Sequence, residues 1–111
     1  ARPNADEPVV EDVPSLGLTV SSLTPELRQQ FELAEAVDGV MVVRVDGGGS
    51  AAEKGIQPGD LIVEVGQEQV SSPSDIINKV GKERAQNKAT VLLLLDRQGD
   101  LRFVAVRISD G

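Results

Sequence analysis

Apolar residues in this chain fall into blocks with two different periods. Leu16, Leu18 and Val20 alternate with Gly17, Thr19 and Ser21, the signature of a half-buried strand. Val40–Val45, Leu61–Val65 and Val91–Leu95 are nearly or wholly continuous apolar runs. They predict strands, with 91–95 at the centre of a sheet. Leu101–Ile108 predicts a closing strand, and Gln98-Gly99-Asp100 the turn that makes it half of a C-terminal hairpin.

Helical signals stand between these runs. Thr24-Pro25-Glu26 offers an N-cap, a proline at the first helical position and an acid in the first turn. Leu27 and Phe31 follow on one face, and the helix should end before Asp38-Gly39. Ser72-Pro73-Ser74-Asp75 is a second start, a variant of the capping box. Ile76, Ile77 and Val80 mark the apolar side of that helix. Gly81 weakens it by roughly 1 kcal/mol relative to alanine. A third, short helix is expected over Ser50–Lys54, closed by Gly55 in a left-handed conformation. Ile56 then drops an apolar anchor, and Pro58-Gly59-Asp60 turns the chain into the Leu61 strand.

The first 14 residues lack such periodicity. Pro3, Pro8 and Pro14 are interspersed with Asp6, Glu7, Glu11 and Asp12, a linker composition. The reading is a flexible acidic linker over 1–14 and one folded domain over 15–109.

Composition narrows the function. With 111 residues the chain suits one domain with a single core. Phe31 and Phe103 are its only aromatics, so that core must be aliphatic. A formal net charge of −7 argues against nucleic acid and anionic membranes. No apolar run reaches the roughly 18 residues of a membrane span. The chain contains no histidine and no cysteine. Ser-His-Asp catalysis within it, disulfides and thiolate metal sites are thereby excluded, and no cofactor or metal is expected. Ser21, Ser22, Ser50, Ser71 and Ser72 are read as caps and turns, and Glu26, Glu32, Glu35 and Asp38 as a solvated acidic face. Asp46 with Gly47–Gly49 is not followed by the Gly-Lys-Ser/Thr of a phosphate loop.

Two features invite a binding role. In Leu16-Gly17-Leu18 a glycine between apolar residues lets backbone N–H groups approach an anion closely; the plain alternative is a strand start with a glycine bulge. Ile77 is turned by about 100° from Ile76 on the helix, toward the edge of the core. It either lines a groove beside the Leu18 strand or belongs to a wide buried face. Leu16, Leu18 and Val20 leave the same choice open.

The run Ser50-Ala51-Ala52-Glu53-Lys54-Gly55-Ile56-Gln57-Pro58-Gly59-Asp60, together with the Leu16-Gly17-Leu18 start and the Leu23-Thr24-Pro25-Glu26-Leu27 helix after it, resembles the PDZ domains of HtrA (DegP-like) periplasmic serine proteases. The likeness spans about Leu16 to Ile108, and Leu18-Thr19-Val20 after the glycine looks more like the second, C-terminal PDZ of such a protease. It implies a mainly β, α+β fold with two or three helices: a bent antiparallel sandwich or partial barrel of the circularly permuted bacterial type. It also implies a periplasmic, non-catalytic peptide-binding module. Leu16, Gly17 and Leu18 would hold a terminal carboxylate; Leu18 and Val20 would line the ligand strand; Ile77 and Val80 would face it from the helix. The implied partners are a peptide or unfolded protein, an upstream protease domain and, if the domain serves assembly instead, sister subunits. Glu11, Asp12, Val13 and Pro14 precede the loop where many such loops carry a basic residue, so binding is expected to be weak.

Overall fold

Side-chain caps start two of the helices, at Thr24 and Ser72, where the sequence predicts them. The computed structural model describes residues 9–30, 32, 39–97 and 99–108. Helix α1 spans Pro25–Gln30, and the Leu27 N–H donates to Thr24 Oγ1 at 3.2 Å. The expected partner of Leu27, Phe31, lies outside the described residues, as do Glu35 and Asp38 of the acidic face. Helix α2 is a single turn, Ser50–Glu53; the chain leaves it through Gly55 at φ +79°. Helix α3 spans Pro73–Ala85. Ser72 Oγ accepts from the Asp75 N–H at 3.3 Å, whereas the Asp75 carboxylate reaches one residue beyond the cap, to the Ser71 N–H at 3.1 Å. That bond holds the Asp75 carboxyl below its usual range.

Among the described residues, seven strands form one antiparallel sheet: β1 Val10–Val13, β2 Leu18–Ser22, β3 Val40–Val45, β4 Leu61–Val65, β5 Glu68–Gln69, β6 Thr90–Arg97 and β7 Asp100–Arg107. Their order is β1-β2-β3-β4-β6-β7, with β5 paired to β4 off that path. The sheet is open, and the described residues include three helices. The C-terminal hairpin is the longest pairing, from Thr90↔Arg107 to Arg97↔Asp100.

Alternation along the strands explains the continuous apolar runs. Val40, Val42, Ile62, Leu93 and Leu95 turn into the main core with Ile56, Ile76 and Val80. Met41, Leu61 and Leu94 lie between them in sequence, are also buried and face the other side of the sheet. The main core is aliphatic, and Phe103 stands 59% exposed on β7.

The turn before β4 is fastened by charge. Asp60 is buried; its carboxylate accepts from Arg97 Nε at 2.7 Å and Arg97 Nη2 at 2.8 Å. It also takes the Gln57 N–H at 3.0 Å. A second bond from Arg97 Nη2, to the Gly55 carbonyl at 2.9 Å, ties in the end of α2. The forked carboxylate bonds raise the Arg97 pKa above its ordinary value.

The sequence alone begins the fold near Ser15. The structure has a strand already at Val10–Val13, within the stretch read as linker. Its cause is tertiary: four residues with one buried side chain have no strand signature of their own, but the edge of β2 offers them backbone partners.

Candidate functional site

The β2 edge brings together a strand, a loop and a helix. β1 runs antiparallel to β2, in the register Val10↔Ser21, Glu11↔Val20, Asp12↔Thr19, Val13↔Leu18. Helix α3 touches both strands. Between β1 and β2 the chain turns through Pro14–Gly17, and this turn is aimed at the end of β1: the Leu16 and Gly17 N–H groups both donate to the Val13 carbonyl, at 3.0 and 2.9 Å.

Two outward bonds hold the loop itself. The Ala51 N–H donates to the Leu16 carbonyl and the Asp46 N–H to the Gly17 carbonyl, each at 2.9 Å. Gly17 has φ +75°, and a Cβ placed on it would lie 2.8 Å from the Gly49 Cα. The glycine is therefore required by its conformation and by close approach to a neighbouring loop. The close approach is thus to Gly49, where the sequence alone suggests a ligand.

Of the six residues singled out from sequence, Leu16, Leu18 and Val20 are buried and belong to the main core. Val80 is buried with Ile76 on α3, whereas Ile77 is 38% exposed at the rim. That split follows from the rotation of Ile77 off the Ile76–Val80 stripe. Ile77 and Val80 line one cavity of about 260 Å³ whose other walls include Val13, Pro14 and two charged residues, Asp12 and Arg84. The structure thus brings the loop, the β2 strand and the α3 face to one place.

Sequence reasoning missed the segment that stands there. Val13 is buried at the end of β1, while Val10, Glu11 and Asp12 are exposed. Asp12 accepts a 2.8 Å hydrogen bond from Thr19 Oγ1; at the far end Val9 and Ser22 bond through the Val9 carbonyl at 3.0 Å and Ser22 Oγ at 2.9 Å. Thr19 is itself paired with Arg44 on β3, so Asp12, Thr19 and Arg44 form one row across three strands. The available signal was Val9-Val10 and Val13 directly before Pro14-Ser15: β-branched residues against a turn, masked by the acids and prolines around them.

Among the described residues, no helix is long and apolar enough to cross a membrane, and no group of three or more His, Cys, Asp or Glu could hold a metal ion.

Comparison with known proteins bears on the family and the fold. The description of the PDZ domain matches residues 14–108. A probable periplasmic serine endoprotease DegP-like of Chlamydia pneumoniae is 34% identical over 93 residues, covering 83% of this chain and 18% of that protein. The counterpart in Chlamydia muridarum is 33% identical over 98 residues, covering 88% and 19%. The chain thus spans about a fifth of the length of these relatives. Among solved structures, the HtrA-type protease AlgW with a decapeptide superposes with a TM-score of 0.71 at 28% identity, over 85% of this chain and 28% of that one. The HtrA3 PDZ domain bound to a phage-derived ligand, FGRWV, shares the fold, with a TM-score of 0.62 at 22% identity, over 93% of this chain and 88% of that one.

Proposed function

The chain belongs to the PDZ domain family, and from that premise we propose that it binds extended peptide segments by adding them as a strand to β2, beside α3. The last residue of the ligand would sit where Val13 sits, its carboxylate taking the Leu16 and Gly17 N–H groups. Leu18 and Val20 would present their backbone edge, and Ile77 and Val80 the apolar wall. The observation that supports this reading is the manner in which β1 is held: an extended segment, paired along β2, its final carbonyl on two converging N–H donors. This is the hydrogen-bonding mode of strand addition.

By likeness to the DegP-like relatives, we place the whole protein in the periplasm as a serine endopeptidase that this module supplies with substrate. Its catalytic residues would lie elsewhere, since a chain without histidine holds no Ser-His-Asp base. No basic residue directly precedes the loop in sequence, and the whole chain carries a formal net charge of −7. The dissociation constant is therefore expected on the order of 10 μM to 1 mM, about −4 to −7 kcal/mol.

An NMR titration with the pentapeptide FGRWV tests the reading. Shifts should centre on Leu16–Val20 and α3, and Ile77→Asp should abolish them without unfolding the domain. A variant that binds as well as the unaltered chain, or an unaltered chain with no shifts at Leu16–Val20, overturns it. One observation favours a second reading, assembly with sister subunits: the β2 edge is filled from within. A chain that takes up no peptide and self-associates in sedimentation would speak for assembly.

A further inference from the structure

We propose that β1 is a built-in competitor for the groove, so that a peptide enters only when Val10–Val13 leaves β2. This rests on the peptide-binding reading above and assigns its regulation. A strand has two backbone edges, and those of β2 are both taken, one by β3 and the other by β1. An incoming peptide that pairs with β2 beside α3 needs the donors and acceptors that β1 now uses, including the Leu16 and Gly17 N–H groups bonded to the Val13 carbonyl. The two occupants cannot coexist.

The competitor is placed to be effective and also to be displaced. It is joined to β2 through a loop of four residues, Pro14–Gly17, so its effective concentration at the groove is high. Against that, its side-chain hold is slight. Only Val13 of the strand is buried, Val10 is 52% exposed, and Asp12 contributes a single hydrogen bond from Thr19. Val13 also leaves the cavity of about 260 Å³ beside Ile77 and Val80 open. A ligand whose last side chain is larger than valine has apolar surface to gain there that β1 does not use. Apparent affinity is then the intrinsic affinity multiplied by the fraction of chains with β1 undocked.

The chain lacks cysteine, which allows a clean lock. Asp12 and Thr19 face each other in register, with side-chain oxygens 2.8 Å apart. The double variant Asp12→Cys with Thr19→Cys should fasten β1 to β2 when oxidised and release it when reduced. Glu11→Pro loosens β1 instead, because proline within a strand removes a ladder donor. The probes are FGRWV and a synthetic ten-residue copy of residues 4–13 with a free carboxylate, followed by NMR on the full chain.

Expected results are loss of binding in the oxidised double variant and its return on reduction. Glu11→Pro should bind about tenfold more tightly than the unaltered chain, a difference of about 1.4 kcal/mol. Equal affinity of oxidised and reduced forms overturns the competitor. So does Glu11→Pro binding no more tightly than the unaltered chain; if Ile77→Asp still abolishes that binding, the groove reading stands without its gate. Absence of binding by the unaltered, reduced and Glu11→Pro chains alike overturns the groove reading and the competitor with it.

Discussion

Two segments of this domain lie against the sheet in different ways. The stretch from α2 to the start of β4 is fastened by side-chain chemistry. Ile56 is in the core, and the Asp60 carboxylate is closed by the fork of Arg97. The Gly59 N–H bonds to the Val42 carbonyl and the Val42 N–H to the Asp60 carbonyl, each at 2.8 Å. Strand β1, by contrast, is fastened mainly by backbone pairing and one valine. A buried, charge-assisted attachment is specific to one partner. Backbone pairing is not, because every extended peptide carries the same donors and acceptors. The first segment is scaffold for this reason; the second, in the proposal above, is the one exchanged for a ligand strand.

Removing the charged clasp should have the largest effect. Asp60→Ala leaves the Gln57 N–H and the Arg97 fork without their acceptor. It is expected to lower stability by roughly 2–4 kcal/mol in urea denaturation, across the whole domain. A loss confined to local exchange around 55–60 would mean that the clasp is not part of the scaffold.

Next in size is Gly17→Ala, in the loop between β1 and β2. A left-handed alanine whose Cβ would lie 2.8 Å from the Gly49 Cα should cost roughly 1–3 kcal/mol of stability. The variant should also show shifted amides at Leu16, Asp46 and Ala51. An unchanged denaturation midpoint would mean that the Gly17–Gly49 approach relaxes freely.

Gly81→Ala should act in the opposite direction. Gly81 lies inside α3, and an added Cβ meets nothing within 4 Å. The substitution should stabilise the domain by roughly 0.5–1 kcal/mol, read as a higher denaturation midpoint. A lower midpoint would show that the groove side of α3 is more tightly packed than the cavity suggests.

The smallest effect is expected from Thr19→Val, which removes the hydrogen bond to the exposed Asp12. Global stability should change by less than about 0.5 kcal/mol, while amide exchange across Val10–Val13 quickens. Unchanged exchange there would mean that Asp12 adds nothing to the hold on β1.

Much of this architecture is local in origin and was legible in the chain. Thr24-Pro25-Glu26 and Ser72-Pro73-Ser74-Asp75 start helices because caps and prolines act within one turn. Gly55 and Pro58-Gly59-Asp60 end one element and begin the next for the same reason. The apolar runs at 40–45, 61–65 and 91–95 became strands of the sheet. The turn of Ile77 away from the Ile76–Val80 stripe follows from helical geometry alone. The aliphatic character of the core was likewise legible in the composition.

Tertiary structure decided what depends on residues distant in sequence. Nothing in Asp60 announces Arg97, 37 positions later; β4 and β6 must pair before the two meet. The need for glycine at position 17 comes from Gly49, on another loop. Above all, Val10–Val13 has no strand pattern of its own, and its acids and flanking prolines read as linker. A strand held by backbone bonds takes its order from the edge it meets, and only the folded sheet supplies that edge, formed by β2 beside α3.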